Sequence, residues 1–402
     1  MNKAKIIIFI TVFLDMTGLG IVVPSLPIYV QNLTNSAFTV GLVFAVYALF
    51  GFLVGPMLGS LSDRYGRRPI LLISLLGTSI GWFTFSIGTL PFIILGRTIN
   101  GITSGNISIA QSYLTDIAKD KQDRTHNLGL MGAILGIGFV IGPAIGAALS
   151  SILMTFPFLV SGFLALGNTI AAYFILPETH INRNKDHKLT INPFAGIKKA
   201  FSIPTVRVLL IIWFLYGLTM INFNSILALY THLAFGFTAS QNGLILTGIG
   251  LVMAINQGIL LKHFWLKFWI ESRIQIISNI GMIIALLLIT SGNFWLMLVG
   301  VFLQSFAQPL LRVVSNSEIS GAAPAHERGE VLGVYQSLFF LAAIISPIVG
   351  GRLLDIALPL PWAIGIIYMA IALLLLLMYY KKIATVKPAE VDITTGMETE
   401  IK

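Results

Sequence analysis

Apolar residues in this chain come in long, nearly unbroken runs rather than at every second, third or fourth position. Runs of about 20 are what a helix needs to cross the hydrocarbon core of a bilayer. They fall near residues 6–30, 38–61, 70–88, 92–114, 127–150, 157–176, 206–230, 240–262, 273–291, 294–317, 329–354 and 361–380. The pattern therefore predicts about twelve spans, an even number that returns both termini to one side. The longest polar connection, Pro177–Pro204, separates two groups of six. The expected organisation is a bundle over 1–176, a linker over 177–205, a second bundle over 206–382 and a disordered polar tail over 383–402. A weak internal echo, Ile141-Gly142-Pro143-Ala144-Ile145-Gly146 against Ile345-Ser346-Pro347-Ile348-Val349-Gly350, suggests duplication. Duplicated membrane halves place a substrate cavity between them, near the midplane. The fold class is all-α polytopic, two six-helix bundles related by a pseudo-two-fold axis.

Composition agrees: 56% of residues are hydrophobic, 10% are charged, and mean hydropathy is +0.89. Met1 is followed by Lys3, Lys5 and an apolar run too long for a signal-peptide core and without a cleavage site, so the first run is read as an uncleaved span. The net charge of +9 is placed asymmetrically. Lys3, Lys5, Arg64, Arg67, Arg68, Lys119, Lys121, Arg124, Lys267, Arg328, Lys381 and Lys382 lie in alternate connections or at the termini, whereas 31–37, 89–91, 151–156, 231–239 and 292–293 hold no Lys or Arg. The positive-inside rule makes the basic side cytoplasmic, with both termini there and the protein in the plasma (inner) membrane. Basic charge is then a topology signal, and no soluble basic domain remains to bind nucleic acid. Cys is absent, and no nucleotide-cradling loop or metal-ligand spacing occurs. An enzyme, a cofactor and a bound metal are not expected. The expected partners are a small-molecule substrate, protons and the bilayer, with the chain acting as a monomer.

Asp15 lies inside the first run. A carboxylate there costs roughly 2.5–3.5 kcal/mol on insertion scales, so such groups usually face a cavity and act. The bland alternative is a static contact to hydroxyls or amides. Arg97 is the other deep charge, nearer the opposite face, with a static role between helices as its alternative; Arg312 and Arg352 lie near span ends and can snorkel. No Lys, Glu or His is expected deep within a span. A carboxyl with a mobile cation nearby is a means of binding and releasing protons.

The second connection reads Gly59-Ser60-Leu61-Ser62-Asp63-Arg64-Tyr65-Gly66-Arg67-Arg68-Pro69. Its glycines allow a tight turn and, at Gly59, close helix approach; Asp63 can pair with Arg or cap a helix. The fifth run carries Gly129, Gly138, Gly142-Pro143 and Gly146, with Ala147 after them, a face of small residues broken by a proline. The first pattern resembles the signature loop of the major facilitator superfamily. The second resembles the antiporter motif of its drug:proton exporters. Leu14-Asp15 with Gly18, Gly20 and Pro24, then Gly96-Arg97 through Asn100-Gly101, then Leu176-Pro177-Glu178-Thr179, are similar to the tetracycline-efflux group. The resemblance implies the major facilitator fold, and a lock in which Asp63, Arg64, Arg67, Arg68, Asp116 and Arg124 favour the outward-facing state. Departures are informative. That group has acids in spans 3 and 9 and a His in span 8, where this chain has Gly81, Gly281-Met282 and Met253. Tetracycline leaves as a metal chelate, so it is not the expected substrate.

Polar residues within spans complete the candidate set: Asn100, Tyr216, Asn222, Asn256, Gln257, Gln304, Gln308 and Gln336 for substrate, with Asn106 among the remaining amides. Each alone is more often a helix–helix hydrogen bond. Together they imply amide and aromatic walls suited to neutral or weakly charged amphiphiles. The expected function is proton-coupled efflux of drugs or amphiphiles by alternating access. The alternative is a same-fold carrier, importer or exporter, of a metabolite or siderophore.

Overall fold

The computed structural model describes residues 3–179, 197–324 and 327–386, with the side chains of Lys3 and 382–386 left aside. Among these residues every regular element is helical. Eleven stretches are long and apolar enough to cross a membrane. The remaining crossing, the fourth, is split into two helices each too short alone.

The first bundle begins with α1 (Lys3–Val22) and α2 (Leu26–Thr34), one run interrupted at Pro24. Next come α3 (Ala37–Tyr65) and α4 (Arg67–Ser86), separated only by Gly66. Gly66 has φ 110° and ψ 155°, a conformation open to glycine and strained for other residues. The split crossing is α5 (Leu90–Ile102) and α6 (Asn106–Asp116). Between them lie Thr103, Ser104 and Gly105, all weak helix formers, and the Thr103 hydroxyl donates to the Ile99 carbonyl. The bundle closes with α7 (Lys121–Ile152) and α8 (Phe156–Ile175). The second begins after the short α9 (Ile197–Ser202): α10 (Pro204–Phe235), then α11 (Ala239–Ile255) continued by a π-helical stretch Asn256–Trp265 and a last turn α12 (Leu266–Phe268). After these come α13 (Glu271–Thr290), α14 (Phe294–Ala322), α15 (Arg328–Ile356) and α16 (Leu360–Val386). The expected tail boundary at 382 is four residues early, since α16 runs to Val386; residues 387–402 lie outside the described residues, as does most of the linker.

The two bundles meet along two helix pairs, α3 with α15 and α7 with α11. A Cβ at Gly41 would stand 2.0 Å from the carbonyl oxygen of Pro347, and one at Gly243 would stand 2.6 Å from that of Pro143. Each proline of the internal echo thus presents its carbonyl to a glycine of the other bundle. Gly351 meets the Ala37 carbonyl in the same way, and Gly250 meets Val140. All these contacts lie toward the end that carries no Lys or Arg in its connections. Asp355, at the end of α15, adds a clasp there: its carboxylate accepts from the backbone N–H of Ala37 at 2.7 Å and Phe38 at 3.0 Å, the N-terminus of α3.

Toward the basic end the same helices part. Gly55 and Gly59 of α3, Gly129, Gly132 and Gly136 of α7, and Gly329 and Gly333 of α15 have nothing within 4 Å of where a Cβ would stand. Gly59 and Gly129 therefore do not serve the close packing their motifs suggest. The rest of the antiporter pattern does: Gly138, Gly142 and Gly146 lie against Phe13–Ile21 of α1, with a Gly142 Cβ 2.6 Å from the Gly20 Cα. The molecule is closed at one end and parted at its basic end.

Candidate functional site

Asp15 sits on α1 at the wall of a cavity of about 70 Å³. Five other segments complete it: Tyr47 from α3, Thr78 and Trp82 from α4, Arg97 and Asn100 from α5, Ser104 from the break, and Asn106 from the start of α6. Asp15 is half-buried rather than sealed. Its Oδ1 accepts from Asn106 Nδ2 at 2.7 Å, and the same nitrogen lies 3.2 Å from Thr78 Oγ1.

Arg97 is 3% exposed. Its Nε donates to the Val43 carbonyl at 3.3 Å, and its guanidinium carbon lies 4.5 Å from the Tyr47 ring centre, 5.6 Å from Trp82 and 5.9 Å from Phe44. Aromatic faces, each worth on the order of 1–2 kcal/mol when desolvated, replace a carboxylate partner here. No ion pair joins Arg97 to Asp15 among the described residues. The two charges share the cavity without touching.

Asn100 is 4% exposed and both polar atoms of its amide lack a partner. It occupies the space that Gly81 leaves open, since a Cβ at Gly81 would stand 1.8 Å from Asn100 Oδ1. The amide thus lies beside the position where the tetracycline-efflux group carries its span 3 acid.

The basic end of the first bundle holds a charge network. Arg67, first residue of α4, donates from Nη1 to Ser62 Oγ at 2.7 Å and pairs with Asp63 at 2.6 Å and, through Nε, with Asp116 Oδ2 at 3.0 Å. Glu178 receives the backbone N–H of Arg67 at 3.0 Å and of Arg68 at 3.3 Å, a carboxylate at a helix N-terminus. Arg68 reaches the Tyr173 carbonyl at 2.6 Å. Arg64 lies over the Tyr65 ring at 5.5 Å. Arg124 departs from expectation: it is exposed and joins no ion pair among the described residues, and the neighbouring Asp123 pairs instead with Lys5 at 2.6 Å.

Three of the amides and rings proposed for substrate in the second bundle, Tyr216, Asn222 and Asn256, hydrogen-bond to the backbone of neighbouring helices. The Tyr216 hydroxyl donates to the Gln308 carbonyl at 2.8 Å, and Asn222 Nδ2 to that of Pro361 at 2.5 Å. Asn256 donates to Phe306 O at 2.8 Å and accepts from Trp265 Nε1 at 2.8 Å, tying the ends of the π stretch. Gln304 is fully buried with both amide atoms unpaired, and the Gln308 side chain is 3% exposed. Gln257 and Gln336 remain exposed. Gln336 lies one turn before Phe340, whose ring approaches Gly51 of α3, so it stands on the face turned to the first bundle.

Several residues were not singled out in the sequence. Tyr47, Thr78 and Trp82 are cavity residues with no charge to mark them, and Asn106 was named only among the in-span amides, not for the proton site. Glu318 also escaped, because α14 extends past the expected end of its span. Its carboxylate is partly buried and bonded to the Tyr380 hydroxyl; turning the Gln275 amide makes it a further donor to Glu318 at 2.6 Å.

A model of the Major Facilitator Superfamily matches residues 8–271 and 264–396. The chain belongs to that superfamily. It is 34% identical to the class C tetracycline resistance protein of Escherichia coli over 261 residues, 64% of this chain and 66% of that protein. It is 28% identical to multidrug resistance protein 1 of Bacillus subtilis over 376 residues, covering 93% and 95% of the two. The crystal structure of the human organic anion transporter MFSD10 superposes with a TM-score of 0.69 at 21% identity, over 93% of this chain and 99% of that one, a likeness of fold.

Proposed function

We propose that this superfamily member exports amphiphilic small molecules from the cytoplasm in exchange for protons, with Asp15 as the proton-carrying group. One observation carries the reading: the lone acid of the first crossing lies half-buried on a cavity wall, opposite a guanidinium that holds no carboxylate. An acid and a cation that line one cavity without pairing are free to change partners as access alternates.

The basic end is taken as cytoplasmic, with both termini there, the inner membrane as the site and a monomer as the working unit. The parted end then faces the cytoplasm, and the glycine–proline seams close the outer side. The division at 176 and 206 gives two bundles that rock about those seams. The network of Asp63, Arg67 and Asp116, with Glu178, is taken as the lock. Contrary to a lock of the outward-facing state alone, its bonds are made here with the basic end parted, and they join elements of the first bundle only. Antiporter packing by Gly138, Gly142, Pro143 and Gly146 supports the exchange direction. Tetracycline and quinolone resistance proteins and a multidrug resistance protein are among the relatives, which favours a broad amphiphilic substrate over a single metabolite. Asn100 beside Gly81 gives an uncharged wall that suits a neutral or quinolone-like drug better than a metal chelate.

The test is uptake of a fluorescent quinolone by proteoliposomes under an imposed pH gradient. Transport is expected to follow the gradient in the wild type and to fall to the level of empty liposomes in Asp15→Asn. Full gradient-driven transport by that variant refutes the role. Accumulation in inverted vesicles distinguishes an exporter from the importer of the alternative reading.

A further inference from the structure

The proton site and the lock lie at opposite ends of one short helix. α6 has 11 residues. Its first, Asn106, binds Asp15 at 2.7 Å, and its last, Asp116, binds Arg67 at 3.0 Å. Ten steps of helical rise separate them by about 15 Å. Thr103, Ser104 and Gly105 detach α6 from α5, so it is a rigid piece with a joint at its cavity end.

Asn106 is built to read a proton. It is 7% exposed; its Nδ2 faces the carboxylate, while its Oδ1 is buried without a partner. An ionised carboxylate only accepts hydrogen bonds, whereas a protonated one also donates. When Asp15 takes up a proton, its new O–H is best met by an amide oxygen. The orphaned Oδ1 meets it only if the amide turns or α6 shifts, and a buried unpaired polar atom costs about 1–3 kcal/mol, which favours the move. The titratable groups facing Asp15 are Tyr47 from α3 and Arg97 from α5. From α4 and α6 it meets Thr78 and Asn106, and α7 and α8 pack on α1 through Gly138, Gly142, Ser161 and Asn168, none of which titrates.

We infer that Asn106 is a positioning residue through which the protonation of Asp15 is passed along α6 to the Arg67–Asp116 pair, so that the lock loosens or tightens with the proton load. This rests on the coupling role of Asp15 proposed above. A displacement of α6 moves Asp116 against Arg67, which also holds Asp63 at the end of α3. A lock biased by a distant proton needs such a two-state element between the sites.

The chain has no cysteine, so Lys119→Cys and Arg328→Cys, both exposed at the basic end of separate bundles, give a clean spin-label pair. The interlabel distance is followed in the purified full chain from about pH 5 to about pH 8. The wild type is expected to show a pH-dependent distance change. Asn106→Leu and Asp116→Asn are each expected to lose it, and Asn106→Gln, which keeps the amide, to retain it. A purely structural role would lower the melting temperature of Asn106→Leu and leave the pH response intact, which overturns the inference. Retention of the response in Asp116→Asn overturns it too, and that variant lies away from the cavity should Asn106→Leu fail to fold. Asp15→Asn separates the two levels. If Asp15→Asn keeps the response, the coupling reading itself falls; if it loses the response while Asn106→Leu keeps it, only the link through α6 falls.

Discussion

At Gly81 a missing side chain makes room for a neighbouring amide. Asn100 fills the space, so Gly81→Ala forces its amide away and is expected to cost about 1–3 kcal/mol, the usual penalty for overpacking. The melting temperature should fall. The same single-residue scale shows what a sequence can reveal. Asp15 and Arg97 were legible because a charge in a membrane run is expensive and needs a reason. Asn106 and Asn222 were not separable, because both are amides in apolar runs. One binds the key carboxylate, and the other binds the Pro361 carbonyl between helices. Only three-dimensional neighbours distinguish them. Glu318 with Tyr380 was hidden for a simpler reason, a span boundary drawn one residue short.

Among elements, the N-terminus of α3 is held by a residue 318 positions away, Asp355. Ala37 and Phe38 donate to it, so Asp355→Asn should weaken the clasp, by roughly 0.3–1 kcal/mol or more for a charge at a helix end. A cysteine at Ala45, buried on the face of α3 that carries Ala37 and Gly41, is expected to react faster with an impermeant maleimide in that variant. At the other end, Lys199 of α9 reaches Glu330 at 2.8 Å and Glu327 at 3.3 Å. These bonds, Glu330 foremost, hold its ammonium above the ordinary lysine value. A raised folded value means the contribution is complete below the ordinary value and is lost only as pH rises through the raised one. The protection factors of the 197–202 amides, exchange being corrected for its base-catalysed intrinsic rate, should therefore stay constant from neutral pH to moderately alkaline pH and fall beyond it. Apolar runs located the crossings well, and Pro24 with Gly101–Gly105 explains two of the breaks. The π stretch gave no such signal, since the Trp265–Asn256 bond that ties its ends depends on a winding no spacing rule anticipates.

For the whole molecule, the two-bundle plan was legible from Pro177–Pro204 and from the short proline-centred echo. That echo survives because both copies do one job: Pro143 and Pro347 each turn a carbonyl toward a glycine across the seam. Gly41→Leu and Gly243→Leu should each prop the closed end apart and stop turnover, with the protein still inserted and folded. Loss of quinolone transport in proteoliposomes checks the second effect, and a longer distance between spin labels placed at the closed end, one in each bundle, checks the first. Which end is closed could not be read from the chain, because the same helices carry glycines along their full length. Apart from Asp355, the glycine contacts along these seams are with main chain and small apolar side chains. Beyond that one carboxylate, acid and ionic strength find no charge to act on at those contacts. Whatever springs the closed door must push from the parted leaves, and a blocker wedged at the glycines would jam it.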